Sequence, residues 1–198
     1  MLNFTNRYYP FSELSIHALK FTARLFGLNL SDEQISKLSE AKLNLDSFPD
    51  SKKGLEKFNE AKRGRTTIRT GGGEVTTDTT DRILSIILSN GEAHKSDILL
   101  SDSSLRKYFD HIISVEEVRK YKPSQETYLL VSKKLNLQIS QIALVSSNLW
   151  DIAGAKSVGM YTCWINHEDK RTSEEFNVKP DYLFSSIDDI GDNLSVIL

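Results

Sequence analysis

Lys122 stands in the stretch VRKYKPSQETY, directly before a proline, and Asp151 follows Asn148 in SSNLWD. A lysine ahead of a helix-initiating proline, after a strand–helix unit, can point over the end of a sheet. Read alone it is a solvated lysine. Asp151 read alone is a favourable charge at the N-terminus of a helix. Ser89 and Ser146 read alone are strand-end hydroxyls, and neither lies in the Gly-x-Ser-x-Gly elbow of a serine hydrolase. These groups gain weight by recurring at the ends of neighbouring apolar strands, where open parallel sheets hold their chemistry.

The elements that must position them change in texture along the chain. Residues 11–27 place Phe11, Leu14, Ala18, Leu19 and Leu25 near helical spacing, with Gly27 as a stop. Ser31 to Gln34 fit a capping box opening a second helix with Ile35, Leu38, Ala41 and Leu45. The FPDS stretch interrupts, and a third helix runs over about 51–62. From residue 83 strands alternate with helices: RILSIILSN, then a helix over 92–100, HIIS at 111–114, and a helix with Pro123 in its first turn running to Leu135. QIALVSS, the helix WDIAGAKSVG, MYTCWI, DYLFSS and a helical end complete the alternation. This pattern predicts a Rossmann-like α/β fold with a parallel sheet covered by helices on both faces. Residues 64–81 fit neither part. Their four glycines and seven threonines read as a surface insertion, either a β-hairpin or an irregular loop, with nothing able to fill an apolar core. On that reading Ile68 and Val75 stay out of the core. The GGG is not a phosphate loop, since no apolar strand precedes it and no GK[ST] follows.

Composition narrows the function. The 198 residues carry a net charge of −2, with 39% apolar and 26% charged side chains, which suits a globular chain without a nucleic-acid partner. No apolar run approaches the roughly 18–20 residues of a membrane helix, and MLNFTNRYYPF lacks a signal-peptide pattern. Cys163 is the sole cysteine and His17, His94, His111 and His167 are scattered, so thiolate zinc sites and disulfides are excluded and a cytoplasmic location is expected.

Three segments taken together are specific: LSNG at 88–91, SVEEVRKYKPSQETY at 114–128 and VSSNLWDIAGAKSVGMYTCWIN at 145–166. They resemble the L-2-haloacid dehalogenases of the haloacid dehalogenase-like superfamily, and RYYPFSELSIHAL with LDSFPD resembles that family's helical cap and its exit. The resemblance implies a partial helical cap over 1–48 and a core over 49–198 interrupted at 64–81. It implies that Ser89 and Asn90 bind the substrate carboxylate or the ester oxygen derived from it, that Lys122 holds a nucleophilic aspartate ionised, and that Tyr128, counted with the substrate-binding residues, supports that network. Ser146, Asn148 and Asp151 would complete the cluster and orient the hydrolytic water, and Trp150 would line the pocket. The implied reaction is displacement of halide from a small 2-haloacid by a carboxylate, followed by ester hydrolysis. No cofactor is implied, and a homodimer is.

The family's first motif, an apolar strand ending in the nucleophilic aspartate, has no counterpart before residue 83; Asp78 and Asp81 lie in the threonine-rich stretch. In this fold that strand would lie between the strands bearing Ser89 and Ser146, and its loss predicts two unpaired edges and little or no dehalogenation by the chain as written. Ser147-Asn148 occupy the place where a magnesium-dependent phosphatase of the superfamily would carry acids, so no metal is expected. A phosphatase acting on a small phosphate ester and a non-catalytic binding relative remain the alternatives.

Overall fold

The computed structural model describes residues 7–64, 67–70, 73–76, 83–167 and 177–197. Helices α1 (Phe11–Leu25) and α2 (Asp32–Ala41) pack against each other. Gly27 closes the first at φ +66°, a conformation a Cβ would strain. The capping box forms as the sequence predicts: Gln34 N–H donates to Ser31 Oγ at 3.2 Å, and Ser31 N–H to Gln34 Oε1 at 2.8 Å. Helix α3 (Ser51–Gly64) lies close against the C-terminal end of the chain, where α7 (Asp188–Asp192) and α8 (Leu194–Ile197) stand. The approach is tight because glycine faces it from both sides. A Cβ on Gly54 would fall 2.4 Å from Ile187 Cγ2, and one on Gly191 would fall 3.0 Å from the Phe58 nitrogen.

Within the threonine-rich stretch, β1 (Thr67–Thr70) pairs antiparallel with β2 (Gly73–Thr76). The side chains of Ile68 and Val75 lie outside the described residues, as do Asp78 and Asp81.

The parallel sheet is split. Strand β3 (Ile86–Ser89) pairs with β4 (His111–Ser114), placing Ser89 opposite Ser114. Strands β5 (Ala143–Ser146), β6 (Tyr161–Ile165) and β7 (Tyr182–Phe184) form a second parallel sheet in that order. Among the described residues no pairing joins β3 to β5, the two edges the sequence reading leaves open. Helices α4 (Ala93–Asp102), α5 (Gln125–Leu135) and α6 (Leu149–Ser157) follow β3, β4 and β5. Pro123 stands ahead of α5 rather than in its first turn, because Ser124 is still extended and serves as N-cap.

Helices cover both faces. On one, Ile86 and Leu88 of β3 and Ile142 and Leu144 from the second half-sheet pack on Tyr128, Leu130 and Val131 of α5. On the other, Ala143, Cys163 and Ile165 pack on Phe58, Ile190 and Ile197. This alternation along β5 and β6 is what a strand buried on two sides requires.

The start of α1 is fastened to the loops that follow β3 and β4. Ser12 donates to Glu92 Oε1 from its backbone N–H at 3.1 Å and from its hydroxyl at 2.5 Å. Tyr8 stacks on Tyr121 at 5.5 Å, with the Arg119 guanidinium over its ring, and Tyr121 Oη donates to the Tyr9 carbonyl at 2.6 Å. Burial alone would push the Glu92 carboxyl up. The bonds from Ser12, its own backbone N–H and the charge of Lys95 outweigh that and bring its pKa down to about 2.

A carboxylate whose pKa is depressed on folding stabilises above its unfolded value and loses that contribution as pH falls through the folded value. Glu92 thus contributes fully above about pH 4.5, by about 3 kcal/mol, and its contribution fades between 4.5 and 2. Urea unfolding at pH 7 is expected to show Glu92→Gln less stable than the parent, with the difference closing toward pH 2. A difference that stays constant over that range contradicts the assignment.

Candidate active site

Strand β3 ends at Ser89, after which the chain turns at Asn90 and Gly91 into α4. The Ser89 hydroxyl fixes this turn: it accepts from Gly91 N–H at 2.9 Å and meets the Ser96 hydroxyl at 3.1 Å. The loop after β4 brings in Lys122, whose backbone N–H donates to Asn90 Oδ1 at 2.9 Å and so ties the two loops together. Strand β5 ends at Ser146. Asn148 then caps α6 by accepting from Trp150 N–H at 3.0 Å, which sets Asp151 in the first turn of the helix.

The Lys122 ammonium donates to Asp151 Oδ2 at 2.9 Å and to the Leu88 carbonyl at 3.0 Å. Asp151 is buried, and each of its oxygens is engaged. Oδ1 accepts from Tyr128 Oη at 2.8 Å; Oδ2 takes Lys122 and, at 3.3 Å, the Ser146 hydroxyl. Burial, the charge of Asp151 and its hydrogen bond push the Tyr128 phenol well up, so it is a neutral donor. Two of the three N–H groups of the ammonium meet protein oxygens among the described residues, and Lys122 also stands in the wall of a cavity. That cavity, about 300 Å³, is lined by Ile87, Leu88, Ser89, Asn90, Lys122, Pro123, Asn148, Trp150 and Asp151.

The residues the sequence singles out therefore meet, in three layers. Ser89, Asn90, Lys122, Asn148, Trp150 and Asp151 line the cavity. Ser146 reaches it only through Asp151. Tyr128, expected among the substrate-binding residues, is fully buried behind Asp151 and does not line the cavity, because α5 places it beneath the sheet with its hydroxyl on the far carboxylate oxygen. Its role is to hold Asp151. Asp151 is the only acid lining the cavity among the described residues. The sequence reading misses Ser96 and the Leu88 carbonyl; a helix serine and a backbone oxygen carry no signal until the fold brings them in. Cys163 is no nucleophile here: it is buried on β6, on the face away from α5, and burial, then the charge of Asp181, push its thiol up to about 12.

Fixed cationic and hydroxyl donors over the open end of a parallel sheet suit a hydrolase that steadies developing negative charge. Comparison with known proteins narrows that class: a model of the haloacid dehalogenase-like hydrolases matches residues 7–159, and the chain belongs to that family. It is 36% identical over 185 residues to the (S)-2-haloacid dehalogenase of Pseudomonas sp. (strain YL), covering 92% of this chain and 69% of that protein. It is 29% identical over 189 residues to (S)-2-haloacid dehalogenase 2 of Pseudomonas sp. (strain CBS-3), covering 96% of this chain and 73% of that one. Its fold matches the L-2-haloacid dehalogenase of Xanthobacter autotrophicus with chloropropionic acid covalently bound, at a TM-score of 0.82 and 20% identity, over all of this chain and 80% of that one. Among the described residues no helix is long and apolar enough to cross a membrane.

Tyr128 holds its place because Gly154 lets it in. A Cβ there would lie 2.5 Å from the Tyr128 hydroxyl and ring edge. Gly154→Ala is expected to cost roughly 1–3 kcal/mol, the range for overpacking a core, and Tyr128→Phe about 1.5–3 kcal/mol for the lost bond to a charged group. Urea denaturation checks both. In the double variant the costs should fall short of additive, since both act on the one Tyr128–Asp151 contact.

Proposed function

We propose that the chain is a hydrolase of the (S)-2-haloacid dehalogenase type, cleaving the carbon–halogen bond of small 2-haloalkanoic acids to give 2-hydroxy acids. The observation that carries this is the Lys122 ammonium, held by Leu88 and Asp151, in the wall of a cavity edged by Ser89 and Asn90. An ammonium already held by Leu88 and Asp151 does not reorganise when negative charge arrives, which is the condition for stabilising it in a transition state.

In the reaction, a carboxylate oxygen attacks the carbon bearing the halogen, and the halide leaves with the bonding electron pair. Water then attacks the ester carbonyl, the acyl–oxygen bond breaks, and the hydroxy acid departs with regeneration of the carboxylate and release of a proton. Ser89 and Asn90 bind the substrate carboxylate, Trp150 bounds the pocket, and Lys122 keeps the attacking carboxylate ionised. Asn148, Ser146 and Asp151 orient the water, and Tyr128 holds Asp151. Asp151 itself is a poor nucleophile, with both oxygens engaged by Tyr128, Lys122 and Ser146. The attacking carboxylate therefore comes from outside the described residues, and without it turnover is slow. The same pairing speaks against a magnesium phosphatase: the acid such an ion would need carries an ammonium, and its neighbours are Ser147 and Asn148.

On this reading residues 1–48 form a partial helical cap and 49–198 the core, interrupted at 64–81. The protein acts in the cytoplasm on a small acid, with neither nucleic acid nor membrane as partner. It pairs with a second copy through the exposed apolar end of α1, where Phe21, Leu25, Phe26 and Leu28 stand uncovered.

The parent chain is expected to bind (S)-2-chloropropionate saturably in calorimetry, in preference to the (R) acid and without metal. Lys122→Ala should weaken binding roughly 10–100-fold, the loss of a charge-assisted hydrogen bond. Equal binding of both enantiomers, or magnesium-dependent phosphate release from a phosphate ester, counts against the proposal.

A further inference from the structure

Ser89 and Ser146 end two parallel strands and make the same first contact. Each hydroxyl oxygen accepts from the backbone N–H two residues on, Gly91 at 2.9 Å and Asn148 at 3.1 Å. That bond fixes the side chain and fills one of the oxygen's two lone pairs, but leaves the direction of the hydroxyl proton open. The next partner decides it. Ser146 donates to Asp151 Oδ2 at 3.3 Å, since a carboxylate paired with an ammonium only accepts. Ser89 meets a second hydroxyl instead: Ser96 Oγ donates to Ser89 Oγ at 3.1 Å. With Gly91 on one lone pair and Ser96 on the other, Ser89 accepts twice and has only its proton left to give. Ser89 lines the cavity, so that proton is given there.

The backbone brings the two hydroxyls together. Ser96 N–H makes the first helical bond of α4, to the Glu92 carbonyl at 3.0 Å, which sets Ser96 one turn in and back toward Ser89. Gly91 keeps their approach open: a Cβ there would lie 3.3 Å from Ser89 Oγ and 3.9 Å from Ser96 Oγ. The turn is anchored to the end of β4 and the loop after it, since Ser114 Oγ donates to the Gly91 carbonyl at 2.9 Å and Ala93 N–H to Glu116 Oε2 at 3.2 Å. The amides in the cavity wall share the polarity. Asn90 Oδ1 accepts from Lys122 N–H and Asn148 Oδ1 from Trp150 N–H, which commits each oxygen to the backbone and leaves the NH2 at the other end of each amide. Lys122 has donors alone. Such a wall suits a ligand whose oxygens only accept.

We infer that Ser96 is a positioning residue for the substrate carboxylate: by donating to Ser89 it makes the Ser89 hydroxyl a donor toward the cavity. The inference rests on the proposed role of Ser89 in binding that carboxylate. Ser96 never touches the ligand; it acts through one oxygen. A hydroxyl that already accepts two hydrogen bonds is polarised into a stronger donor, and its proton does not have to be turned when the anion arrives. With the opposite polarity, Ser89 donating to Ser96, a lone pair would face the anion, and removing Ser96 would release the proton and tighten binding. The sign of the effect therefore decides between the two directions.

The test is calorimetric titration of the full chain with (S)-2-chloropropionate and with propionate, which keeps the carboxylate and lacks the halogen. Ser96→Ala is expected to weaken both acids alike, by roughly three- to tenfold, the worth of one neutral hydrogen bond. Ser96→Thr restores the hydroxyl and should bring both affinities back. In a Ser89→Ala background, Ser96→Ala should change affinity by less than about twofold, because its whole effect passes through Ser89. Alanine favours the helix, and Tm checks that each variant is folded. The inference is overturned if Ser96→Ala binds as tightly as the parent or more tightly, if threonine does not restore binding, or if the loss persists without Ser89. Two outcomes separate it from the proposed activity. Equal parent affinity for the two acids, with the Ser96 pattern intact, leaves the Ser96–Ser89 pair standing and counts against a haloacid substrate. Preference for (S)-2-chloropropionate with no effect of Ser96→Ala does the reverse, and a parent that binds neither acid overturns both.

Discussion

The contact between Lys122 and Asp151 joins the two half-sheets, which among the described residues share no strand pairing. The ammonium comes from the loop after β4, the carboxylate from the first turn of α6, and the carbonyl that also holds the ammonium from β3. A buried ion pair holds only when its remaining donors and acceptors are satisfied. Here the carboxylate is satisfied, by Tyr128 on one oxygen and Ser146 on the other. The pair thus bridges the open side of the sheet at its chemical end, where no ladder does.

Beneath it, α5 does the same work by packing. The core cluster that holds Tyr128, Leu130 and Val131 packs against residues of both β3 and β5, and Tyr128 also sends its hydroxyl up to Asp151. One side chain serves both as core and as support for the site, and Gly154 on α6 makes the room it needs. A change at this contact is felt in the apolar interior and in the orientation of the carboxylate together.

The helical segment at the start of the chain is coupled to the same region by shorter means. Ser12 bonds Glu92, two residues past Asn90, and Tyr8 and Tyr9 bond or stack on Tyr121, the neighbour of Lys122. Two of the three loops that carry the site residues, those after β3 and β4, therefore also hold α1, so motion of the helices and motion of the site are not independent.

Much of this was legible in the residues. Alternating apolar runs and helical spacings located nearly every strand and helix, because period and length are local properties. The Ser31–Gln34 box formed as read, since its bonds span only one turn. The convergence of Ser89, Lys122, Ser146 and Asp151 followed from a rule about where parallel strands end, together with motifs specific enough to name a family. Other features were decided by the tertiary structure. Tyr128 looked like a pocket residue, and only the packing of α5 under the sheet shows that it stands behind Asp151. Nothing in the local sequence marks Glu92: its lowered pKa comes chiefly from Ser12, eighty positions away in sequence. The Leu88 carbonyl became part of the site because, among the described residues, no strand pairs with β3 on that side. Composition marks a strand as central, but whether a partner lies beside it depends on which segments meet in space, and local sequence does not encode that.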